Sequence, residues 1–222
     1  METKKYLAVL GLVIAGSIAV TSCVEKNYYV TNPNNNNQGN NNSGYTYVFD
    51  EEFNGQDNYG WSFTNAADSA YASISNGSYQ YVDYSATKSN MSVVNTGANV
   101  SGNFTVQTRI KSNNNMALIF GASATDNGYA FYVDTAGNYS LYKEGTDSTA
   151  SMVIIASTAD SLATKDGWNI LEVDQLNGNW TGYINGTQIF QKTAATLSGA
   201  NFGFKVLPGT IGYADYLVVK SH

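Results

Sequence analysis

This sequence predicts an all-β chain built as two packed antiparallel sheets, on three observations. Short runs of alternating, β-branched and aromatic residues recur from residue 45 to the C-terminus. Asn-Gly dipeptides, which supply the positive φ angles of tight hairpin turns, punctuate those runs. No stretch keeps a helical hydrophobic period for ten residues, and 159–166 has room for one helical turn at most.

Residues 1–22 read as an export signal: Lys4 and Lys5, then an apolar run shorter than the ~20 residues a spanning helix needs, then small residues. Residues 23–44 follow as a spacer. From Asn27 to Gly44 it carries no charge and is mostly Asn, Gly, Ser and Gln, so it buries too little apolar surface to offset its ordering entropy. Its root-mean-square span as a coil is roughly 20 to 25 Å. The domain then runs over 45–222, a length at which one fold buries close to ~70% of its unfolded surface. Thirteen strands are predicted within it, at 45–53, 70–75, 78–84, 104–111, 117–121, 129–134, 139–143, 152–157, 169–176, 180–185, 188–192, 201–206 and 213–220. Turns are expected at Asn76-Gly77, Asn127-Gly128, Asn177-Gly178 and Asn185-Gly186.

Composition removes several chemistries. The chain has one Cys, one His at the very end (His222), net charge -6 and 11 scattered Lys+Arg. Internal disulfides, Cys-rich zinc sites and His-based triads are therefore excluded, and nucleic acid is a poor partner because phosphate backbones need concentrated positive charge. Any catalysis must use carboxylates, Tyr, Lys or Arg.

Two resemblances sharpen the reading. Val20-Thr21-Ser22-Cys23 resembles the bacterial lipobox, which implies a lipid-modified Cys23 as mature N-terminus. Acyl chains contribute ~0.8 kcal/mol per buried methylene and hold such a protein on a membrane without a spanning segment. Val24 stands where an Asp often signals inner-membrane retention in similar lipoproteins, so the outer membrane is the expected address. In the domain, Asp50-Glu51-Glu52-Phe53-Asn54-Gly55, Trp61-Ser62-Phe63 and Tyr213-Ala214-Asp215-Tyr216-Leu217-Val218-Val219 resemble the opening and closing segments of concanavalin A-like lectin and glucanase domains. Segments between them are similar, in order, to laminin-G-like and family 16 glycoside-hydrolase-like relatives. The resemblance implies a jelly-roll sandwich whose concave face binds glycans.

Catalysis of the glucanase kind is not expected. Those enzymes carry Glu-x-Asp-x-x-Glu on one strand, which points the acid and the nucleophile at the sugar bond. The nearest string here, Glu172-Val173-Asp174-Gln175-Leu176-Asn177, lacks the second Glu and directly precedes a late Asn-Gly turn. Glu172 and Asp174 read as outward, solvated positions on a strand that buries Leu171, Val173 and Leu176. A glycoside hydrolase of this fold, acting on 3-keto-disaccharides or glucans, stays as an alternative, as does a structural or adhesive protein that binds another protein. The resemblance also implies a structural calcium, with Asp215 as the one transferable ligand.

Alternation selects the glycan-binding candidates. Phe131 and Val133 suit the core, which turns Tyr132 outward; the same logic turns Tyr142 outward. Phe104, Val106 and Ile110 leave Gln107 and Arg109 on the other face of their strand. If those strands are neighbours in one sheet, the four side chains form a sugar-sized patch. Trp180, beside the Asn177-Gly178 turn, is expected at its rim, while Trp61 and Trp168 are expected in packing. Four Asp-Ser/Thr-x strings resemble a Bacteroidetes O-glycosylation sequon and mark Ser69, Thr135, Ser148 and Ser161 as modification candidates.

Overall fold

The structure, a computed structural model, describes residues 44–86, 90–123, 127–145, 150–164 and 167–222. The export signal, Cys23, the spacer and Ser148 lie outside the described residues. Fifteen strands follow one another: β1 (Thr46–Glu51), β2 (Phe63–Asn65), β3 (Ala70–Ser75), β4 (Ser78–Asp83), β5 (Met91–Asn95), β6 (Phe104–Ser112), β7 (Asn115–Ala122) and β8 (Gly128–Asp134). Then come β9 (Asn138–Glu144), β10 (Met152–Ala159), β11 (Asn169–Leu176), β12 (Asn179–Ile184), β13 (Thr187–Thr193), β14 (Asn201–Val206) and β15 (Thr210–Ser221).

They form a two-sheet antiparallel jelly-roll sandwich. One sheet has nine strands in the order β13-β12-β11-β6-β15-β4-β3-β2, with β1 also paired to β15; the other has six, β10-β9-β8-β7-β14-β5. The closing strand β15 is the spine of the larger sheet. β6 runs along one of its flanks, while β4 and β1 share the other.

Every one of the thirteen predicted strands is present. The two that the pattern missed are short: β2 has three residues, and β5 (Met-Ser-Val-Val-Asn) is a single apolar pair between polar neighbours. Three Asn-Gly turns form as their chemistry requires, with positive φ at both residues of Asn76-Gly77, Asn177-Gly178 and Asn185-Gly186. Asn127-Gly128 does not: only Gly128 has positive φ, and Asn127 Oδ1 instead accepts the Ser123 backbone N–H at 2.9 Å.

Between the sheets the core is aromatic. Phe53, Trp61, Tyr79 and Phe204 pack together at one end, and Phe120, Tyr129 and Trp180 at another, with ring centroids 4.5 to 6.0 Å apart. Each such ring contributes roughly 1.5–3 kcal/mol by leaving water. Glu51 is buried at the edge of the first cluster, where its Oε1 accepts the Phe53 N–H at 2.8 Å.

Candidate functional site

Alternation gives each sheet a second face, and the two faces differ. On the six-stranded sheet, Met116, Leu118, Phe131, Leu141, Phe202 and Phe204 point into the core. Their neighbours Ala117, Ile119, Ala130 and Tyr132 point away from it, yet they too are buried, in a second cluster with Met91, Val93, Tyr142 and Leu207. Small residues form the floor and large ones the wall. Gly203 belongs to this floor; a Cβ there would run into the Ser92 carbonyl of β5.

A charged group spans the floor. Glu144 of β9 accepts the Tyr132 hydroxyl at 3.2 Å and Ser151 Oγ at 3.0 Å, and it pairs with Lys205 Nζ of β14 at 2.7 Å. The ion pair is buried, with 12% and 5% of the Lys205 and Glu144 side chains accessible. β14 and β9 are separated by β7 and β8, so their Cα atoms on a flat sheet would stand at least three strand spacings apart, roughly 14 Å. The register adds an offset along the strand, since Lys205 faces Ala117, Ala117 faces Tyr132, and Tyr132 faces Ser140, four residues before Glu144. Two extended side chains do not bridge that distance on a flat sheet. This face is therefore concave along the diagonal from Lys205 to Glu144. Burial pushes the Tyr132 hydroxyl well above its usual range, and the neighbouring Glu144 carboxylate adds to it. Tyr132 thus stays a protonated donor. Tyr142 is half-buried and meets the Tyr132 ring edge-on at 5.9 Å.

The outer face of the nine-stranded sheet is a polar network. Gln107 donates to Glu172 and accepts the Tyr216 hydroxyl at 2.9 Å. Asp174 accepts Thr105 Oγ1 at 2.5 Å, and His222 reaches the same hydroxyl at 2.8 Å. Arg109 pairs with Asp215 at 2.8 Å, with both side chains more than a third accessible, and its Cζ lies 4.8 Å from the Trp168 ring centroid.

The sequence-predicted candidates are thus divided. Tyr132 and Tyr142 share the concave face, whereas Gln107 and Arg109 sit on the other sheet; β6 pairs with β11 and β15, not with β8 or β9. The single patch of four does not form. Trp180 is not at a rim either: it is 2% exposed, stacked edge-on against Phe120 and Tyr129, and donates its indole N–H to Gln175 at 2.8 Å. Trp61 is buried as expected, but Trp168 is half-exposed on the nine-stranded face. Glu172 and Asp174 do face outward, tied into the network above, and Leu176 faces outward with them. Asp215 pairs through Oδ2 with the Arg109 guanidinium at 2.8 Å, and among the described residues there is no group of three or more His, Cys, Asp or Glu that could hold a metal ion. Ser69 and Ser161 are exposed in turns, and Thr135 is half-buried between β8 and β9. Glu144, Lys205 and Ser151 are the residues that sequence reasoning missed. Glu144 follows Tyr142 by two and Lys205 lies between inward Phe204 and Val206, so strand alternation carried a signal for both.

No known family model matches the chain, and neither does any curated protein. Solved structures of similar shape include carbohydrate binding module CBM66 from Bacillus subtilis (TM-score 0.45, 18% identity, 81% of this chain and 96% of that one). A β-glucanase of Bacillus licheniformis is similar at TM-score 0.47 and 10% identity, over 77% of this chain and 96% of that one. The CBM2 module of the Lactobacillus casei BL23 phage J-1 evolved Dit protein is similar at 0.49 and 11%, over 80% of this chain and 96% of that one.

Proposed function

We propose that this chain is a glycan-binding module, that its site is the concave face of the six-stranded sheet, and that the site holds sugar without cleaving it. The observation that carries the reading is the Tyr142–Tyr132–Glu144–Lys205 group over a floor of small residues. A sugar needs an apolar surface for its ring face and fixed polar groups for its hydroxyls. Tyr142 supplies the first, and the exposed Ser151, whose hydroxyl is held by the carboxylate of the buried Glu144–Lys205 pair, supplies the second. The two charges hold one another in place, so the polar groups are ordered before ligand arrives, which lowers the cost of binding. Hydrolysis needs two carboxyls roughly 5–10 Å apart across the bond. The other carboxylate on this side of the described sheet, Asp134, is bound up in the β8–β9 turn by Ala136 and Asn138. It is separated from Glu144 by nearly the length of β9, roughly 20 Å.

An exposed tyrosine contact is worth ~1 kcal/mol, so affinity for one sugar unit is expected between millimolar and micromolar. A glycan array probed with the full-length chain, with parallel assay of released sugar on polysaccharides, tests the reading: retained glycan without released sugar supports it, and no retained glycan sinks it. From the lipobox-like segment we further propose that the module is anchored on the outer membrane through an acylated Cys23. Incorporation of labelled palmitate into the expressed protein tests the anchor.

A further inference from the structure

The nine-stranded face carries a second constellation, independent of the concave face. Lys111 of β6 lies beside Tyr213 of β15, and Tyr213 in turn lies beside Gln80 of β4, so these side chains form one row across three strands. Trp168, the residue before β11, extends the row on the other side: Lys111 Nζ is 4.8 Å from the Trp168 ring centroid and 5.0 Å from that of Tyr213. Gln80 closes it by donating to the Tyr213 hydroxyl at 3.0 Å.

The charges here do not cancel. Arg109 is matched by Asp215, but among the described residues no carboxylate pairs with Lys111. Two half-exposed rings hold its ammonium instead, and a cation–π contact fixes a cation without neutralising it.

We propose that the Trp168–Lys111–Tyr213 row is a second binding site, for an acidic polysaccharide whose sugar rings carry carboxylates. The two rings are separated by about two strand spacings, roughly 10 Å, the span of a disaccharide. They offer flat apolar surface to neighbouring sugar units, Lys111 between them takes the carboxylate, and the Gln80 amide reaches a hydroxyl. A lysine with no carboxylate partner among the described residues suits a polymer that carries negative groups. It does not suit a nucleic acid, whose phosphate backbone calls for concentrated positive charge.

The test is a titration of the full-length chain with polygalacturonate, with its fully methyl-esterified form, and with single-stranded DNA. Polygalacturonate is expected to bind, its uncharged ester to bind at least tenfold more weakly, and 0.5 M salt to weaken the charged ligand alone. Lys111→Gln is expected to weaken polygalacturonate about tenfold with an unchanged unfolding midpoint, and Lys111→Arg, which keeps the charge, to retain it. The proposal is overturned by equal affinity for acid and ester, by DNA binding as tightly as polygalacturonate, by an unaffected Lys111→Gln variant, or by no binding of polygalacturonate.

Discussion

The sandwich presents two outer faces with similar inventories of tyrosine, carboxylate and basic side chains, and curvature makes them different objects. On the six-stranded sheet the Lys205–Glu144 pair is drawn over a floor of Ala117, Ile119 and Ala130 and loses nearly all contact with water. On the nine-stranded sheet the Arg109–Asp215 pair is nearly as short, 2.8 Å against 2.7 Å, but remains 41% and 36% accessible. Distance does not distinguish the two pairs; solvation does. A desolvated pair organises a pocket and is costly to break, whereas an exposed pair is a local adjustment of the surface.

The largest effect should come from breaking the buried pair. Glu144→Gln leaves the Lys205 ammonium buried without a counter-charge and is expected to cost about 3 kcal/mol of stability in urea unfolding. Combining Glu144→Leu with Lys205→Met should return most of that loss, since two apolar groups leave no orphaned charge. A single-variant loss below about 1 kcal/mol would mean that water reaches the pair and the two faces are alike.

A carboxylate elsewhere on the nine-stranded sheet gives a pH-dependent probe. Burial, with the charges of Glu52 and Glu51, pushes the Asp50 carboxyl up from 3.8 to about 6, against the opposing pull of Lys220. Between those pH values the folded protein holds a proton that the unfolded chain has released. Asp50 therefore destabilises the fold increasingly as pH rises through this window, and fully above it. Because Asp50 is partly open to solvent, screening reduces the effect, and Asp50→Asn is expected to raise stability by about 2 kcal/mol at most at pH 7.5 and to have little effect at pH 4, read as the difference between unfolding curves. A gain that is the same at both pH values would contradict this origin. The smallest effect on stability is expected from Asp215→Asn, within about 1 kcal/mol, because the pair it breaks is solvated.

Much of the fold was legible because antiparallel strands with one buried face write their geometry as alternation. The turns Asn76-Gly77, Asn177-Gly178 and Asn185-Gly186 locate three hairpins outright. Alternation also turned Tyr132, Tyr142, Gln107 and Arg109 to the outward sides of their strands. What it could not supply was which outward side each occupied, since sheet membership depends on pairings between strands distant in sequence, such as β6 with β15. Trp180 shows a second limit. Its closeness to an Asn-Gly turn suggested a rim, but Trp180 faces Gln175 across the β11–β12 hairpin on the core side, and its indole N–H is satisfied there. Trp168 shows the converse: as the residue before β11 it escapes the core pattern and lies over two cations of β6.

The most direct test of the concave-face reading is a glycan array probed in parallel with the full-length chain and its Tyr142→Ala variant, followed by calorimetric titration of the best-retained glycan. The account predicts that the unmodified chain retains a glycan and that removing the half-exposed ring weakens it about fivefold, the equivalent of ~1 kcal/mol. Equal affinity of the two proteins for that glycan, or no glycan retained by either, would contradict it.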